Sequence, residues 1–142
     1  MIFIAVIFLA LYSFSMFTNN SEQQDIREVY GITDPQKERI ISFLQGAVYC
    51  WCLNRGTEWF SLRDFMGGTN YFWNGTPLIE LYNKHNALGK TDDECVEAAG
   101  KDAGWILKMV INNDNRTFET KKEELIRKYR WNGNTENDNS DI

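Results

Sequence analysis

The chain has 142 residues, of which 43% are hydrophobic and five are tryptophan, and its formal net charge is −5. This length indicates a single domain, and the aromatic content excludes a chain that is disordered throughout. Three cysteines exclude a disulfide framework, and no cluster of cysteine, histidine or acidic residues has the spacing of a metal site. We therefore expect neither a metal nor a cofactor.

The excess acid lies at the two ends of the chain. Residues 26–131 contain 15 basic and 15 acidic residues, whereas residues 100–131 contain eight basic and five acidic ones. A basic C-terminal third favours an anionic partner. Ordinary solvated surface charge explains the same pattern.

Residues 1–17 are almost wholly apolar, and three interpretations stay open. The segment is a signal peptide, a membrane anchor, or the product of a misassigned start with Met16 as the true first residue. It has no positively charged stretch at its start, and it is at the short limit for a membrane span. The first two interpretations predict a secreted or membrane-anchored protein, and the third predicts a cytoplasmic one. Residues 18–25 form a polar linker.

Residues 26–131 are predicted to form one globular helical domain. Thr33, Asp34 and Pro35 are typical of a helix start, and this helix should continue to Asn54. Three shorter elements are predicted nearby: a helix at 25–30, a strand at 58–62 and a helical turn at 62–66.

A loop at residues 69–75 contains Tyr71, Phe72 and Trp73 in a row. The next helix is predicted from Pro77 to Leu88, with Gly89 closing it. Its apolar stripe consists of Leu78, Leu81, Tyr82, His85 and Leu88. We interpret His85 as a hydrogen-bonded core residue rather than a catalytic one.

Residues 91–111 predict a long helix that starts with a T-x-x-E capping box at Thr91 and Glu94. Gly100 and Gly104 weaken a helix, so a neighbouring element should pack closely on them. Trp105 points to a second contact surface. The predicted core stripe is Val96, Ala99, Ala103, Ile106, Leu107 and Val110.

The C-terminal part predicts a strand at 116–119 and then a helix that begins with a second capping box at Thr120 and Glu123. Spacing of i, i+4 in the pairs Glu123–Arg127 and Glu124–Lys128 supports this helix. Residues 129–131 either end the helix or form a strand. Residues 132–142 are predicted to be a disordered acidic tail.

These elements predict a mainly α fold: a compact domain of four to five helices with a small β-wing, in a winged-helix-like order. This order favours a non-enzymatic domain that binds nucleic acid through its basic C-terminal third. The predicted phosphate contacts are Lys101, Lys108, Arg116, Lys121, Lys122, Lys128 and Arg130.

The alternative hypothesis is a helical protein-interaction module that its N-terminal segment anchors in a membrane or exports. Its predicted contacts with a protein partner are Tyr71, Phe72, Trp73 and Trp105. A membrane is a partner only if the N-terminal segment is genuine and uncleaved. No acid–base or nucleophile constellation in the sequence favours an enzyme.

Overall fold

The computed structural model describes residues 25–66 and 73–135. Over these residues the protein is mainly α-helical with a small antiparallel β hairpin. The elements in chain order are α1 (Asp34–Arg55), α2 (Leu62–Met66), α3 (Ile79–Ala87), α4 (Asp92–Asn113), β1 (Arg116–Glu123) and β2 (Ile126–Thr135). The predictions for residues 1–24, Tyr71, Phe72 and residues 136–142 lie outside the described residues.

Helix α1 begins where the sequence predicts. The Thr33 side chain accepts the backbone N–H of Gln36, and the Gln36 side chain accepts the N–H of Thr33. This reciprocal cap satisfies two N–H groups that have no partner within the helix. The helix ends at Gly56, where φ is 58°. Its buried residues recur every four positions and form one narrow stripe: Ile40, Leu44, Val48 and Cys52.

Helix α4 provides most of the core. Its predicted start is confirmed, because Thr91 and Glu94 form the capping box. Val96 is half-buried instead of buried. The helix turns Cys95 inward instead, and the Cys95 thiol lies 3.6 Å from the Lys90 carbonyl oxygen. The buried residues of α4 are Cys95, Ala99, Ala103, Ile106, Leu107, Val110 and Ile111.

The prediction that an element packs closely on Gly100 and Gly104 is wrong. A Cβ atom built on either glycine would meet nothing within 4 Å among the described residues, apart from its own helix backbone and chain neighbours. Both positions therefore have room for a side chain.

Helix α3 is shorter than predicted. The Ile79 N–H donates to the Thr76 carbonyl at 3.2 Å, an i→i+3 bond that belongs to a turn before the helix. Leu81 is fully buried, but Leu88 is 73% exposed, which corrects its place in the apolar stripe. The reason is that α3 ends at Ala87. Gly89 then turns the chain toward α4 with φ of 79°, and α3 and α4 pack against each other.

The prediction of a helix that begins with a capping box at Thr120 is wrong. Strands β1 and β2 occupy this segment and are joined by the two residues 124–125. The hairpin brings two aromatic rings onto Phe60, which is fully buried. The Phe60 centroid lies 6.2 Å from that of Phe118 and 5.9 Å from that of Tyr129. A helix would turn some of these side chains away from the core, whereas alternate strand positions face the same side.

Phe60 also extends the hairpin sideways. Phe60 and Tyr129 exchange two backbone hydrogen bonds of 2.8 Å in an isolated antiparallel bridge. The strand predicted at 58–62 is therefore reduced to this one bridge. The order across the resulting sheet is Phe60, β2, β1. Burial raises the pKa of Tyr129 to about 12, because the phenolate would have to lose its hydration.

Two predictions at the edges of the domain are corrected. Residues 25–30 contain no helix. Strand β2 continues to Thr135, so residues 132–135 belong to the hairpin and not to a disordered tail. The Trp131 indole N–H donates to the Asn134 carbonyl at 2.8 Å, which ties this last part of the strand to a ring on the hairpin.

Candidate nucleic-acid interface

The tip of the hairpin has a backbone conformation that residues with side chains rarely adopt. Glu124 and Leu125 both have positive φ, 50° and 67°. Two-residue hairpin turns with two positive φ values match the twist of the strands, but they favour Asn and Gly. The left-handed region costs other residues roughly 1–2 kcal/mol each. Leu125 is 88% exposed, so packing of its side chain does not offset this cost.

Two like-charged pairs lie behind this tip, after the pair Glu123–Ile126. Lys121 lies opposite Lys128, and Lys122 lies opposite Arg127. Directly opposed residues project from the same face of a hairpin, and adjacent pairs project from opposite faces. Each face of the tip therefore carries one pair of cations. Like charges in direct opposition destabilise a hairpin, so the strand pairing forms despite these four side chains.

Glu123 offsets the repulsion on the face that carries Lys121 and Lys128. Its carboxylate lies 3.1 Å from the Lys121 ammonium and 3.5 Å from that of Lys128. Hydrogen bonding to Lys121 and the charges of both lysines lower the pKa of Glu123. Glu123 thus pairs with the lysine across the strand, whereas the predicted helical pair Glu123–Arg127 does not form. On the other face, Arg127 donates to the Thr120 hydroxyl at 3.3 Å.

Trp59 supports the basic side chains on the Glu123 face. The Lys121 ammonium lies 4.3 Å from the centroid of the Trp59 ring, and the Arg130 guanidinium lies 4.8 Å from it. The Arg130 Nε also donates to Glu119 at 2.7 Å. A cation over an indole ring is attracted by the negative face of the ring. These contacts hold the Lys121 and Arg130 side chains against the Trp59 ring.

Arg116 has a structural environment at the base of the hairpin. Its guanidinium lies 3.2 Å from Asp114, whose side chain is 1% exposed. It also lies 4.9 Å from the Tyr49 ring centroid and 5.6 Å from that of Trp131. Gln45 of α1 donates to the second Asp114 oxygen at 2.8 Å. The predicted phosphate contact Arg116 is therefore engaged in joining β1 to α1 and the end of α4.

Lys108 and Trp105 lie together on α4, on the side of the hairpin that carries Arg127. Two cations lie close to the Trp105 ring, with the Lys108 ammonium at 4.9 Å and the Arg27 guanidinium at 5.0 Å from its centroid. Desolvation lowers the pKa of Lys108, and the positive charges of Arg127 and Arg27 lower it further. The charge of Asp25 acts in the opposite direction and raises this pKa, so the three cations share the region with a carboxylate.

Lys101 lies apart from this region. It is exposed and pairs with Glu97 one turn earlier on α4, at 3.2 Å. The first two turns of α4 expose a group of carboxylates around it: Asp92, Asp93, Glu94 and Glu97. Lys101 and Lys108 lie seven positions apart on α4, and of the two it is Lys108 that interacts with the cations Arg27 and Arg127.

The aromatic loop turns its last residue inward. Trp73 is 5% exposed and belongs to the core. This burial corrects its prediction as a surface contact, because a packed ring cannot also cover a partner. Trp105 is half-buried, and its ring contacts the cations of Arg27 and Lys108.

His85 is confirmed as a hydrogen-bonded residue. Lys90 donates to its Nδ1 at 2.6 Å, and Nε2 lies 2.7 Å from Asp102. An ammonium can only donate, so Nδ1 accepts and Nε2 carries the proton. Lys84 binds the same Asp102 oxygen at 2.8 Å. No group of three histidine, cysteine, aspartate or glutamate residues in the described ranges could hold a metal ion.

The cations at and near the hairpin form what we call the basic surface: Arg27, Lys108, Lys121, Lys122, Arg127, Lys128 and Arg130. Sequence reasoning missed two of them, Arg27 and Arg127. A signal for Arg127 exists in the segment KKEELIRK, residues 121–128. Its basic residues are symmetric about the centre of residues 124–125, as a two-residue hairpin requires. The sequence offers no comparable signal for Arg27, which approaches Trp105 only through the tertiary fold.

Comparison of the chain with models of protein families, with curated proteins and with solved structures finds no match. No helix in residues 25–66 and 73–135 has the length and apolarity needed to cross a membrane.

Proposed function

We propose that this protein is a winged-helix-like nucleic-acid-binding domain that contacts duplex phosphates with the tip of its hairpin. The observation that carries the proposal is the double cation pair behind the tip, with Lys121 and Lys128 on one face and Lys122 and Arg127 on the other. Glu123 offsets part of this charge, and phosphates would neutralise more of it. Phosphate neutralisation is the main source of affinity for nucleic acid.

The order of elements also supports this function. Helix α1 precedes the bridge at Phe60 and the short helix α2, and the helical pair α3–α4 and the hairpin follow. Two helices joined by a short turn with a glycine are typical of a helix-turn-helix unit. In such units the start of the second helix usually contacts base edges.

Helix α4 is unsuited to that contact. Its first turn carries Asp92, Asp93 and Glu94, which would approach the phosphates on either side of a groove with like charge. We therefore assign α4 a supporting role, with Lys108 near the hairpin as its contribution to the basic surface. The proposal gives Lys101 no role, because Glu97 pairs with it among these carboxylates.

The experiment is a titration of a labelled short DNA duplex at several salt concentrations. Affinity should fall steeply as salt rises, because bound phosphates release counterions. Replacing Lys122→Glu should weaken binding to all sequences and lower the slope of log affinity against log salt by about one unit. Lys122 is exposed, so this change should leave the thermal unfolding transition in place.

The matched control is Lys101→Glu, which makes the same charge change on the same protein. We expect it to alter duplex affinity much less than Lys122→Glu does. Absence of binding at low salt would refute the proposed function. Equal losses from the two variants would show that net charge matters and that the hairpin does not.

A further inference from the structure

The most exposed large apolar side chain among the described residues lies at the centre of the most basic segment. Leu125 is 88% exposed. Behind the turn and the pair Glu123–Ile126 lie two cation pairs, one on each face of the hairpin. Leu125 also stands in the left-handed region, next to Glu124 in the same region. Asparagine or glycine would satisfy this turn without that cost. Solubility and local folding both disfavour a leucine here.

Residues other than glycine that occupy the left-handed region cluster at sites where a protein contacts a ligand. Glu124 and Leu125 both occupy this region, and Leu125 has no core to pack against. The flanking charges restrict the class of ligand. Cations on both faces of a narrow ribbon match a groove that has a phosphate backbone on each side.

We infer that Leu125 is an apolar wedge that enters the minor groove of a DNA duplex and packs between two base pairs. Apolar side chains used in this way unstack a base step and bend the duplex. Lys121 and Lys128 then face one phosphate backbone of the groove, and Lys122 and Arg127 face the other. This inference rests on the proposed function and specifies the element and the groove that it uses.

A membrane surface fits the tip less well. Peripheral proteins bind lipid through a broad apolar face or through several inserted side chains. The other exposed large hydrophobic residues of the described chain lie off the hairpin, at Ile26, Tyr30, Tyr49, Leu53 and Leu88. A single exposed leucine near two cation pairs is better suited to enter a nucleic-acid groove than to bind a lipid surface.

The wedge predicts which duplexes bind best. Steps of pyrimidine followed by purine unstack easily, whereas runs of adenine are stiff. Duplexes with a central TA step should therefore bind more tightly than duplexes with a central adenine run of the same length. The end-to-end distance, measured by energy transfer between dyes on the two ends, should shorten when protein binds to the TA duplex.

Three substitutions of Leu125 separate the wedge from the turn. Asparagine and glycine tolerate positive φ, so Leu125→Asn and Leu125→Gly should fold at least as stably as the natural protein. Both should bind the TA duplex about tenfold or more weakly, because the apolar burial is lost. Neither should bend it. Leu125→Met keeps an apolar side chain and should retain both affinity and bending.

The outcomes distinguish the two proposals. If the natural protein binds no duplex at low salt, the proposed function and the wedge both fail. If it binds duplex but Leu125→Asn and Leu125→Gly bind and bend equally well, the wedge alone fails. A third outcome is that phosphatidylserine vesicles bind the natural protein but not these variants, while duplex binding is unchanged. This outcome would reassign the tip to a lipid surface and overturn the wedge.

Discussion

The helical pair α3–α4 and the hairpin differ in how well each sequence suits its local structure. In α4, Thr91 and Glu94 cap the first turn and its acidic residues favour the positive end of the helix dipole. In the hairpin, like charges oppose each other across the strands, and Glu124 and Leu125 occupy a turn that suits asparagine and glycine. Natural sequences tend to break such local rules at functional sites. We therefore expect the functional site to lie on the hairpin.

The largest expected effect tests the buried face of α4. Leu107 is 1% exposed, so Leu107→Asp would bury an unpaired charge, which costs several kcal/mol. We expect this variant to lose its cooperative thermal transition. Val96→Asp is the control on the same helix. Val96 is half-buried, so the carboxylate of the introduced aspartate can reach water. A folded Leu107→Asp protein would show that this face is not the core.

A second prediction concerns the anchor of the hairpin in the core. Burial raises the pKa of Tyr129 from 10.0 to about 12. Below pH 10 the tyrosine is protonated in both states, and its contribution to stability is fully present. Between pH 10 and about 12 the unfolded state loses the proton first, so the free energy of unfolding should fall by about 3 kcal/mol.

Chemical denaturation across this pH range measures the effect. Tyr129→Phe removes the titrating group and should remove this part of the pH dependence, while keeping the ring contact with Phe60. An unchanged alkaline profile in Tyr129→Phe would mean that the hydroxyl is not buried in solution.

The smallest predicted effect concerns glycines in and before helix α4. Alanine favours a helix interior over glycine by about 1 kcal/mol, and the positions of Gly100 and Gly104 are open to a Cβ atom. Gly100→Ala and Gly104→Ala should each raise the thermal midpoint. Gly89→Ala should lower it, because φ is 79° there. Destabilisation by Gly104→Ala would indicate a close neighbour in solution.

The two T-x-x-E sequences show what could be predicted from the sequence. Thr91-x-x-Glu94 leads into a long amphipathic run, so local and tertiary preferences agree and the predicted start is confirmed. Thr120-x-x-Glu123 has the same local pattern and helix-forming residues after it, yet it lies in a hairpin. Cross-strand pairing and the packing of aromatic rings on Phe60 outweigh local propensity there. The residues 124–125 also lack the asparagine or glycine that signals a tight turn.

The basic surface was harder to predict than the helices. Lys121, Lys122 and Lys128 could be named from composition, but their arrangement on two faces depends on the strand register. The involvement of Arg116 at the hairpin base depends on Asp114 becoming buried. Sequence spacing contains no information on that burial, because Gln45 is 69 positions away from Asp114.

The Asp114 carboxylate has a consequence for how this domain can diversify. It joins α1 through Gln45 and fixes the first residue of β1 through the Arg116 backbone N–H at 2.8 Å. The base of the hairpin is thus anchored without help from residues 121–128. We therefore expect that the sequence of residues 121–128 can be changed while the helices keep their packing and the hairpin keeps its position on them.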